Sequence, residues 1–403
     1  DLFEARNNMG NALQELGRLR QAVSAYQEAA KLLPRPQVFH NMGSALLRLG
    51  EHEAAISRFR QALALDPGMR EAYLGLSKAQ RRAERHRNAV GTLETALRRW
   101  PGDQVLWRMA GEAHAALGEG EKAMRAFRRG GESVAAIHLR LGEEALRRQM
   151  LTVAAEQFRA ARAAVDSAAV TPSSAVPDKL HARALIGLGE VARGRDQFAE
   201  ALRLFRQAAQ TDPQSAPAYA NIGRLFLQHG GGMEAVAALE RAVELEPANG
   251  HLRALLGESY EAVGRIQLAI EAFGEAIRLA PERAEYHHNL GLIYHRNQLL
   301  GAAEKAFRAA LERQPELAAA HYNLGNLQLD GGRPEAALAA YEAALRLQPE
   351  HVDALINMAA ALLGLERVGD ALAAYRSFLQ VHGRDHPLAA SVVAEIERLD
   401  GTR

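Results

Sequence analysis

Cysteine is absent from this chain of 403 residues, and its absence excludes several kinds of chemistry. A protein without thiols forms no disulfide, uses no cysteine nucleophile and holds no cysteine-ligated zinc or iron–sulfur cluster. Apolar runs are also short, and none approaches the roughly 18–20 residues that a membrane-spanning helix requires. Aromatic residues make up only 5% of the sequence, whereas charged residues make up 24%. With abundant alanine and leucine, this composition predicts long helices and no transmembrane segment.

Lysine is nearly missing too, since 44 of the 49 basic residues are arginine. This skew is typical of a GC-rich, bacterial genome and does not by itself indicate a binding mechanism. The formal net charge is only +1, but residues 1–170 carry a net charge of +7 and residues 171–403 a net charge of −6. The chain starts with Asp1 and shows no signal peptide, so we expect a leader to have been removed or left out. A soluble protein of either the cytoplasm or the periplasm fits these features.

A period of 34 residues dominates the sequence. One unit illustrates it: Gly291 is followed by Ala303, Phe307, Ala310 and Pro315 at fixed offsets. The closing proline recurs along the chain at Pro34, Pro67, Pro101, Pro213, Pro247, Pro281, Pro315 and Pro349. In eight units all five offsets hold a small residue, alanine, an aromatic residue or leucine, alanine and proline. An internal repeat of this length predicts a solenoid.

Each unit contains two stretches in which apolar residues recur at steps of three and four, which predicts two amphipathic helices. Short breaks such as Gly264-Arg265 and Gly331-Gly332 separate the two helices. The small residue and the alanines allow the helix backbones to approach closely, and the aromatic residue fills the space between neighbouring units. Proline ends the second helix because it cannot continue one. A single pair of helices cannot bury its own apolar face, so the units must stack.

These offsets resemble the tetratricopeptide repeat (TPR) family. Three weaker units, around Gly111, Gly142 and Ala359, raise the count to eleven repeats over about residues 3–385. The resemblance implies an all-α fold, a right-handed superhelical solenoid of antiparallel helix pairs. Residues 386–400 follow as a capping helix that places four apolar side chains on one face, namely Leu388, Val392, Ile396 and Leu399.

The period breaks twice, first by shortening before Gly142 and then by a long insertion before Gly189. The insertion contains the turn-rich segment Thr171–Asp178. We therefore expect four parts, in order a basic block of about five repeats, an irregular insertion, an acidic block of about six repeats and the cap. Their bounds are 3–168, 169–181, 182–385 and 386–400.

Motifs of catalysis and metal binding are not found. The chain has no phosphate-binding glycine loop after a strand, no nucleophile elbow and no HExxH, so we expect neither an enzyme nor a cofactor. The strongest metal candidates are His287, His288, His295 and His321. His288 and His295 are about two helical turns, or 10 Å, apart, which is too far for two ligands of one zinc ion. We interpret these histidines as packing residues and expect no metal site.

Two groups of first-helix residues are candidates for partner binding. Basic residues in the early repeats suit an acidic partner segment, although they could equally be a solvated surface or, less readily given the lack of stacking aromatics, a nucleic-acid site. This basic group consists of Lys78, Arg81, Arg82, Arg108 and Arg147. The second group is an asparagine two residues before the small residue of several repeats: Asn8, Asn41, Asn221, Asn289, Asn323 and Asn357.

Asparagine at this offset is either an ordinary preference of such repeats or a ladder of amides that hold an extended peptide backbone. The ladder is similar to one in the helical arm of O-linked sugar transferases. Residues that line the groove in the resembled family give the late repeats a largely neutral surface made of Arg224, His288, Asn289, Leu292, His295, Tyr322, Asn323, Asn326 and Asn357.

The resemblance implies a non-enzymatic scaffold or adaptor that binds peptide segments or partner proteins in its concave groove. The bacterial composition makes assembly or secretion of an envelope complex a candidate process. The alternative from the enzyme class is the substrate-recruiting arm of a larger enzyme such as a glycosyltransferase. Nucleic-acid binding is a third, weaker hypothesis. The sequence identifies neither the partner nor the oligomeric state.

Overall fold

The computed structural model describes residues 2–168, 176–383 and 385–401. These residues form 23 α-helices and, as far as they extend, no strand. The helices are α1 (Leu2–Glu15), α2 (Leu19–Leu32), α3 (Pro36–Arg48), α4 (His52–Leu65), α5 (Arg70–Arg82), α6 (His86–Arg99), α7 (Gln104–Ala116), α8 (Gly120–Arg129), α9 (Val134–Arg147), α10 (Leu151–Ala168), α11 (Val176–Arg193), α12 (Phe198–Thr211), α13 (Ala216–Gln228), α14 (Gly232–Leu245), α15 (Gly250–Ala262), α16 (Ile266–Leu279), α17 (Ala284–Arg296), α18 (Leu300–Arg313), α19 (Ala318–Asp330), α20 (Pro334–Leu347), α21 (Val352–Gly364), α22 (Val368–His382) and α23 (Ala389–Asp400).

The described helices α1–α22 form eleven helix pairs, which confirms the predicted all-α repeat architecture. Odd-numbered members, from α1 to α21, are the first helices of their repeats, and even-numbered members are the second helices. Each first helix packs against the second helix of its own repeat.

In eight repeats the small residue is a glycine that faces the aromatic ring of the second helix, and Gly223 faces Leu239 in the same way. A Cβ atom built on Gly43 would lie only 3.0 Å from the ring of Phe59, so a larger residue would displace that ring. The same ring also faces Gly75 of the next repeat, where a Cβ would come within 2.4 Å. Phe59 is fully buried. One aromatic side chain therefore holds together both its own helix pair and the next repeat, as the sequence predicts.

The turns inside the repeats share a left-handed residue. In all eleven pairs of the described chain, one residue between the two helices has a positive φ angle. Glycine occupies this position six times, for example at Gly264, because it lacks the Cβ that makes this conformation costly. The other five turns hold Glu84, Gln149, Asp196, Gln298 and Glu366, with φ between 56° and 60°.

A recurring side-chain hydrogen bond to the backbone stabilises the turns between repeats. A side chain six residues after the closing proline donates a hydrogen bond to that proline's carbonyl. Trp107 Nε1 lies 2.7 Å from the carbonyl oxygen of Pro101, and His321 Nε2 lies 2.9 Å from that of Pro315. His287 bonds Pro281 in the same way at 3.1 Å. These contacts account for His287 and His321 as structural residues.

The chain divides into two compact units, unit 1 (Asp1–Asp212) and unit 2 (Pro213–Arg403). The predicted boundary at residues 169–181 lies inside unit 1. Of that insertion, residues 169–175 lie outside the described residues, and α11 begins at Val176. The division of the solenoid into a block at 3–168 and a block at 182–385 stays a prediction.

The capping helix α23 covers the apolar end of the last repeat. Val392 and Leu399 are buried against α22, and Ile396 packs beside them. Leu388 departs from the expectation, because it precedes the helix and is 39% exposed. The helix begins one residue later, at Ala389, which takes the buried place.

Candidate binding surfaces on the first helices

All the predicted binding residues lie on first helices, from α1 to α21. Within each unit, first helices of successive repeats contact one another, for example α5 with α7 and α19 with α21. We call this row of first helices the first-helix face of its unit.

In unit 1, the first-helix face contains a cleft of about 670 Å³ between α5, α7 and α9. Its lining brings together four of the five predicted basic residues, Lys78, Arg81, Arg82 and Arg147. Arg108 is not among them, because its guanidinium turns to the carbonyl oxygen of Gly130 at 3.2 Å. The cleft is also lined by residues that were not predicted to bind a partner, namely Glu84, His86, Glu112, Phe127, Arg140, Glu143 and Glu144.

Ion pairs occupy most of the arginines in the cleft. Glu112 of α7 binds Arg81 on one side and Arg140 on the other, the latter at 3.0 Å. Arg140 also reaches Glu132 at 2.8 Å. The result is an alternating chain of charges across three repeats. Arg81 is thus engaged with a neighbouring helix, which the sequence reasoning did not foresee.

The remaining basic residues of the cleft differ in whether an internal ion pair occupies them. Arg147 pairs with Glu144 of its own helix at 2.6 Å. Lys78 and Arg82 are exposed, and no described carboxylate lies within ion-pair distance of either. Lys78 and Arg82 are therefore the two cations of the cleft that a partner can reach without displacing an internal bond.

In unit 2, the first-helix face carries amides and aromatic rings where unit 1 carries charges. Asn357 Nδ2 donates to Asn326 Oδ1 at 2.9 Å, and the Tyr341 hydroxyl donates to the same oxygen at 2.7 Å. Burial raises the pKa of Tyr341 well above its ordinary value, so its hydroxyl keeps the proton that it donates. The Asn326 oxygen is thus fully used by its neighbours, and its two N–H groups have no partner among the described residues.

A second hydrogen-bond chain links three successive first helices. Asn323 Nδ2 lies 2.9 Å from His288 Nε2, and His288 Nδ1 lies 3.3 Å from Asn289 Oδ1. Asn289 Nδ2 in turn reaches Glu258 Oε1 at 3.3 Å. Burial lowers the pKa of His288 and raises the pKa of Glu258. A neutral His288 with its proton on Nδ1 satisfies this arrangement.

The other predicted residues of the late repeats serve mainly in packing and pairing. Leu292 packs against the cluster that contains Phe307, and His295 Nε2 lies 2.8 Å from Asp330. The ring of Tyr322 lies 4.6 Å from that of His351. These contacts rigidify the surface between α17 and α21.

Among the described asparagines of the early repeats, only Asn41 makes a hydrogen bond to another first helix like those of unit 2. Asn41 Nδ2 donates to Asn11 Oδ1 at 3.2 Å, and the Tyr26 hydroxyl donates to that oxygen at 2.8 Å. Asn8 is exposed, and Asn221, which lies on α13 of unit 2, is half-buried. Asn11 and Tyr26 therefore reproduce in unit 1 the arrangement of Asn326 and Tyr341 in unit 2.

One pair of repeat positions explains four of these links. The residue two before the small residue of one repeat bonds the residue one after the small residue of the preceding repeat. The four pairs are Asn41 with Asn11, Arg140 with Glu112, Asn289 with Glu258, and Asn357 with Asn326. A sequence signal for these partners existed, because each pair joins complementary donors and acceptors at the same two offsets. The asparagine ladder is thus at least partly a device that joins adjacent first helices.

Comparison with known proteins decides the family. A tetratricopeptide repeat family model matches residues 40–104, 76–133, 139–216, 221–267, 254–318 and 322–390, and a second tetratricopeptide repeat model matches residues 1–68. The chain belongs to the tetratricopeptide repeat family. No curated protein matches the sequence closely enough to count as a relative.

Several solved structures are similar to this tetratricopeptide repeat protein. The yeast Tom70 is 15% identical, covers 99% of this chain and 96% of its own, and has a TM-score of 0.44. PilW, described as a widely conserved type IV pilus biogenesis factor, is 15% identical over 53% of this chain and 98% of its own, with a TM-score of 0.48. TTC0263, a thermophilic TPR protein in Thermus thermophilus, is 26% identical over 45% of this chain and 99% of its own, with a TM-score of 0.39.

The family assignment supports a protein-interaction scaffold, because tetratricopeptide repeats bind proteins or peptides and their scaffolds are generally non-catalytic. Among the residues that the structure describes, no three His, Asp or Glu side chains are grouped closely enough to hold a metal ion. No described helix combines the length and the apolar character needed to cross a membrane.

Proposed function

We propose that this tetratricopeptide repeat protein is a scaffold that binds an extended, largely neutral peptide on the first-helix face of unit 2. The amide of Asn326 carries the proposal. Its oxygen accepts hydrogen bonds from Tyr341 and Asn357, which orients both N–H groups away from those two neighbours. A peptide carbonyl is a suitable acceptor for such a donor.

The neighbouring amides complement this donor. The side-chain oxygens of Asn323 and Asn357 have no hydrogen-bond partner among the described residues, and both side chains are half-buried. They can accept from peptide N–H groups. Donors and acceptors thus alternate along the row, which suits a backbone that presents both. Because the amides are already held by internal hydrogen bonds, little side-chain entropy is lost on binding.

The experiment uses a substitution that keeps the oxygen acceptor of the Asn326 side chain and removes its N–H donors. Asn326→Asp retains oxygens for Tyr341 and Asn357 but removes both N–H donors. Peptides selected by the wild-type chain from a random library of uncharged 12-residue peptides are titrated calorimetrically against both proteins. We expect the aspartate variant to bind more weakly by about 1–2 kcal/mol, because backbone hydrogen bonds are lost and an acceptor faces an acceptor.

The matched control is Asn11→Asp, which makes the same chemical change beside Tyr26 and Asn41 in unit 1. This variant should bind the selected peptides as the wild type does. Equal losses in both variants, or no selection of any uncharged peptide, would contradict the assignment to unit 2.

For the cleft of unit 1 we propose a second contact, with an acidic segment of a partner at Lys78 and Arg82. These two side chains are exposed and have no carboxylate partner among the described residues, whereas Arg81 is held by Glu112. Lys78→Ala with Arg82→Ala should weaken that contact, and the loss should shrink as salt is raised because exposed charges are screened. A loss that persists unchanged at high salt would rule out an electrostatic contact.

A further inference from the structure

A different surface of unit 1 contains the least compensated positive charge among its described cavities. Between α10, α11 and α12 lies a groove of about 350 Å³. Two second helices, α10 and α12, form its walls over the first helix α11. Its arginines are Arg159 and Arg162 from α10, Arg195 from the turn after α11, and Arg203 from α12. We call it the arginine groove.

Only one carboxylate lines the arginine groove. Glu200 is bound by Arg203 through two hydrogen bonds of 2.8 and 2.6 Å, so this pair neutralises itself. Arg159, Arg162 and Arg195 have no carboxylate within 4 Å among the residues that the structure describes. By contrast, the cleft on the first-helix face holds four glutamates beside its five basic residues.

Arg162 shows most directly that arginines of the groove lack acceptors within the described part of the protein. Its Nε atom is buried and has no hydrogen-bond partner among the described residues. A buried guanidinium donor without an acceptor is unfavourable, and so is a cluster of like charges. An anion bound in the groove would relieve the repulsion between the arginines.

The floor of the groove is apolar. Aliphatic side chains form it, namely Ala155, Leu188, Val191, Ala192 and Leu204. No aromatic side chain lines the groove, so a nucleobase would have nothing to stack on.

The groove also continues along the chain of helices. A second cavity of about 340 Å³ shares Arg162 and is lined by the amides of Gln207 and Gln210 and by Thr211. Amide and hydroxyl groups suit the backbone of an extended ligand. Two cavities joined at one arginine accommodate several residues of a chain better than one compact ion.

We propose that the arginine groove binds an acidic peptide segment of a partner protein. Carboxylates of that segment pair with Arg159, Arg162 and Arg195, and an aliphatic side chain between them contacts the apolar floor beside Leu188. Arginine forks bind carboxylates through two parallel hydrogen bonds, which gives such a contact both strength and orientation. This site is separate from both contacts on the first-helix faces, so the scaffold can hold two segments at once.

The test uses a fluorescein-labelled 12-residue peptide made of glutamate, leucine and glycine, with fluorescence anisotropy as the readout. The full chain is compared with Arg159→Gln/Arg162→Gln, which removes two charges of the groove. We expect at least a tenfold weaker affinity for the double variant. A peptide with glutamine in place of glutamate should not bind the wild type measurably.

Controls separate this groove from other basic surfaces. Arg206→Gln removes an exposed charge of α12 that does not line the groove, and it should bind the probe as the wild type does. The wild-type groove and its Arg159→Gln/Arg162→Gln variant are also compared in the Lys78→Gln/Arg82→Gln background, which removes the acidic contact proposed for the cleft, so that the remaining binding reports the groove alone. Circular dichroism melts verify that each variant is folded. The proposal is overturned if the Arg159/Arg162 substitutions leave the affinity unchanged, or if no binding of the probe remains in the Lys78→Gln/Arg82→Gln background. It is overturned equally if inorganic phosphate, single-stranded DNA or anionic vesicles compete as well as the unlabelled peptide.

Discussion

The two first-helix faces use the same repeat positions for different chemistry. In unit 1 the link between successive first helices includes the ion pair of Arg140 with Glu112, whereas in unit 2 it includes the amide pair of Asn357 with Asn326. Net charge differs in the same sense: unit 1 has 32 basic and 24 acidic residues, and unit 2 has 17 and 24. The comparison teaches that the fully buried offsets define the fold, whereas the half-buried offsets between first helices accept different chemistry.

The largest expected effect tests whether the same kind of buried aromatic contact stabilises both units. Phe307→Ala in unit 2 and Phe59→Ala in unit 1 should each lower stability by about 3–5 kcal/mol, because each empties a fully buried aromatic site. Hydrogen exchange should show lost protection first around residues 284–351 for Phe307→Ala, and around residues 36–99 for Phe59→Ala, since solenoid contacts are local. A uniform loss along the whole chain would refute local stacking.

The next largest effect concerns peptide binding, which should distinguish the first-helix face of unit 2 from that of unit 1. Asn289→Ala with Asn323→Ala should weaken the neutral-peptide contact of unit 2 by roughly 1–3 kcal/mol, because donors and acceptors for the backbone are lost. Raising the salt concentration should change this loss little. Calorimetry at two salt concentrations measures it, and a strongly salt-dependent loss would show that the contact is ionic and that the contrast between the faces is wrong.

The links between first helices should also respond differently to salt. Glu112→Gln should destabilise unit 1 by about 1 kcal/mol at low salt, since Arg81 and Arg140 lose their shared carboxylate and the half-buried pairs are only partly screened by solvent. Asn357→Ala should cost a similar amount in unit 2, about 0.5–1.5 kcal/mol, without a salt dependence. Urea unfolding at low and high salt distinguishes the two. Parallel salt responses would mean that the ion pairs contribute nothing beyond their hydrogen bonds.

The smallest effect concerns turns that the two units have in common. Gln298→Gly and Glu84→Gly should each stabilise the chain by about 0.5–1 kcal/mol, because glycine adopts a positive φ without the strain of a Cβ atom. Gly264→Gln, at the equivalent turn of another repeat, should destabilise it. Thermal melts measure all three, and destabilisation by Gln298→Gly would show that its side chain matters more than its backbone.

Much of the site could be read from the sequence only as a set of positions. The offset of the asparagines is visible in the sequence, whereas their pairing with residues of the preceding repeat depends on how adjacent first helices pack. Arg81 illustrates the difficulty: as a residue it suits an acidic partner, yet Glu112 of the next repeat already binds it. Whether a surface arginine is free depends on which carboxylates come within 4 Å, and that distance is set by the packing of neighbouring helices.

The sequence by itself determined the repeat, its eleven helix pairs and the buried contact of small and aromatic residues, because a 34-residue period and helical spacing leave few other ways to bury the apolar faces. It also placed every candidate residue on a first helix. Only the tertiary structure decided which polar groups satisfy one another. The arginines of α10 and of the α11–α12 turn follow no pattern that is visible in the sequence. They line one groove because α10 and α12 both pack against α11. Burial follows from local periodicity, whereas charge compensation follows from distances between different repeats.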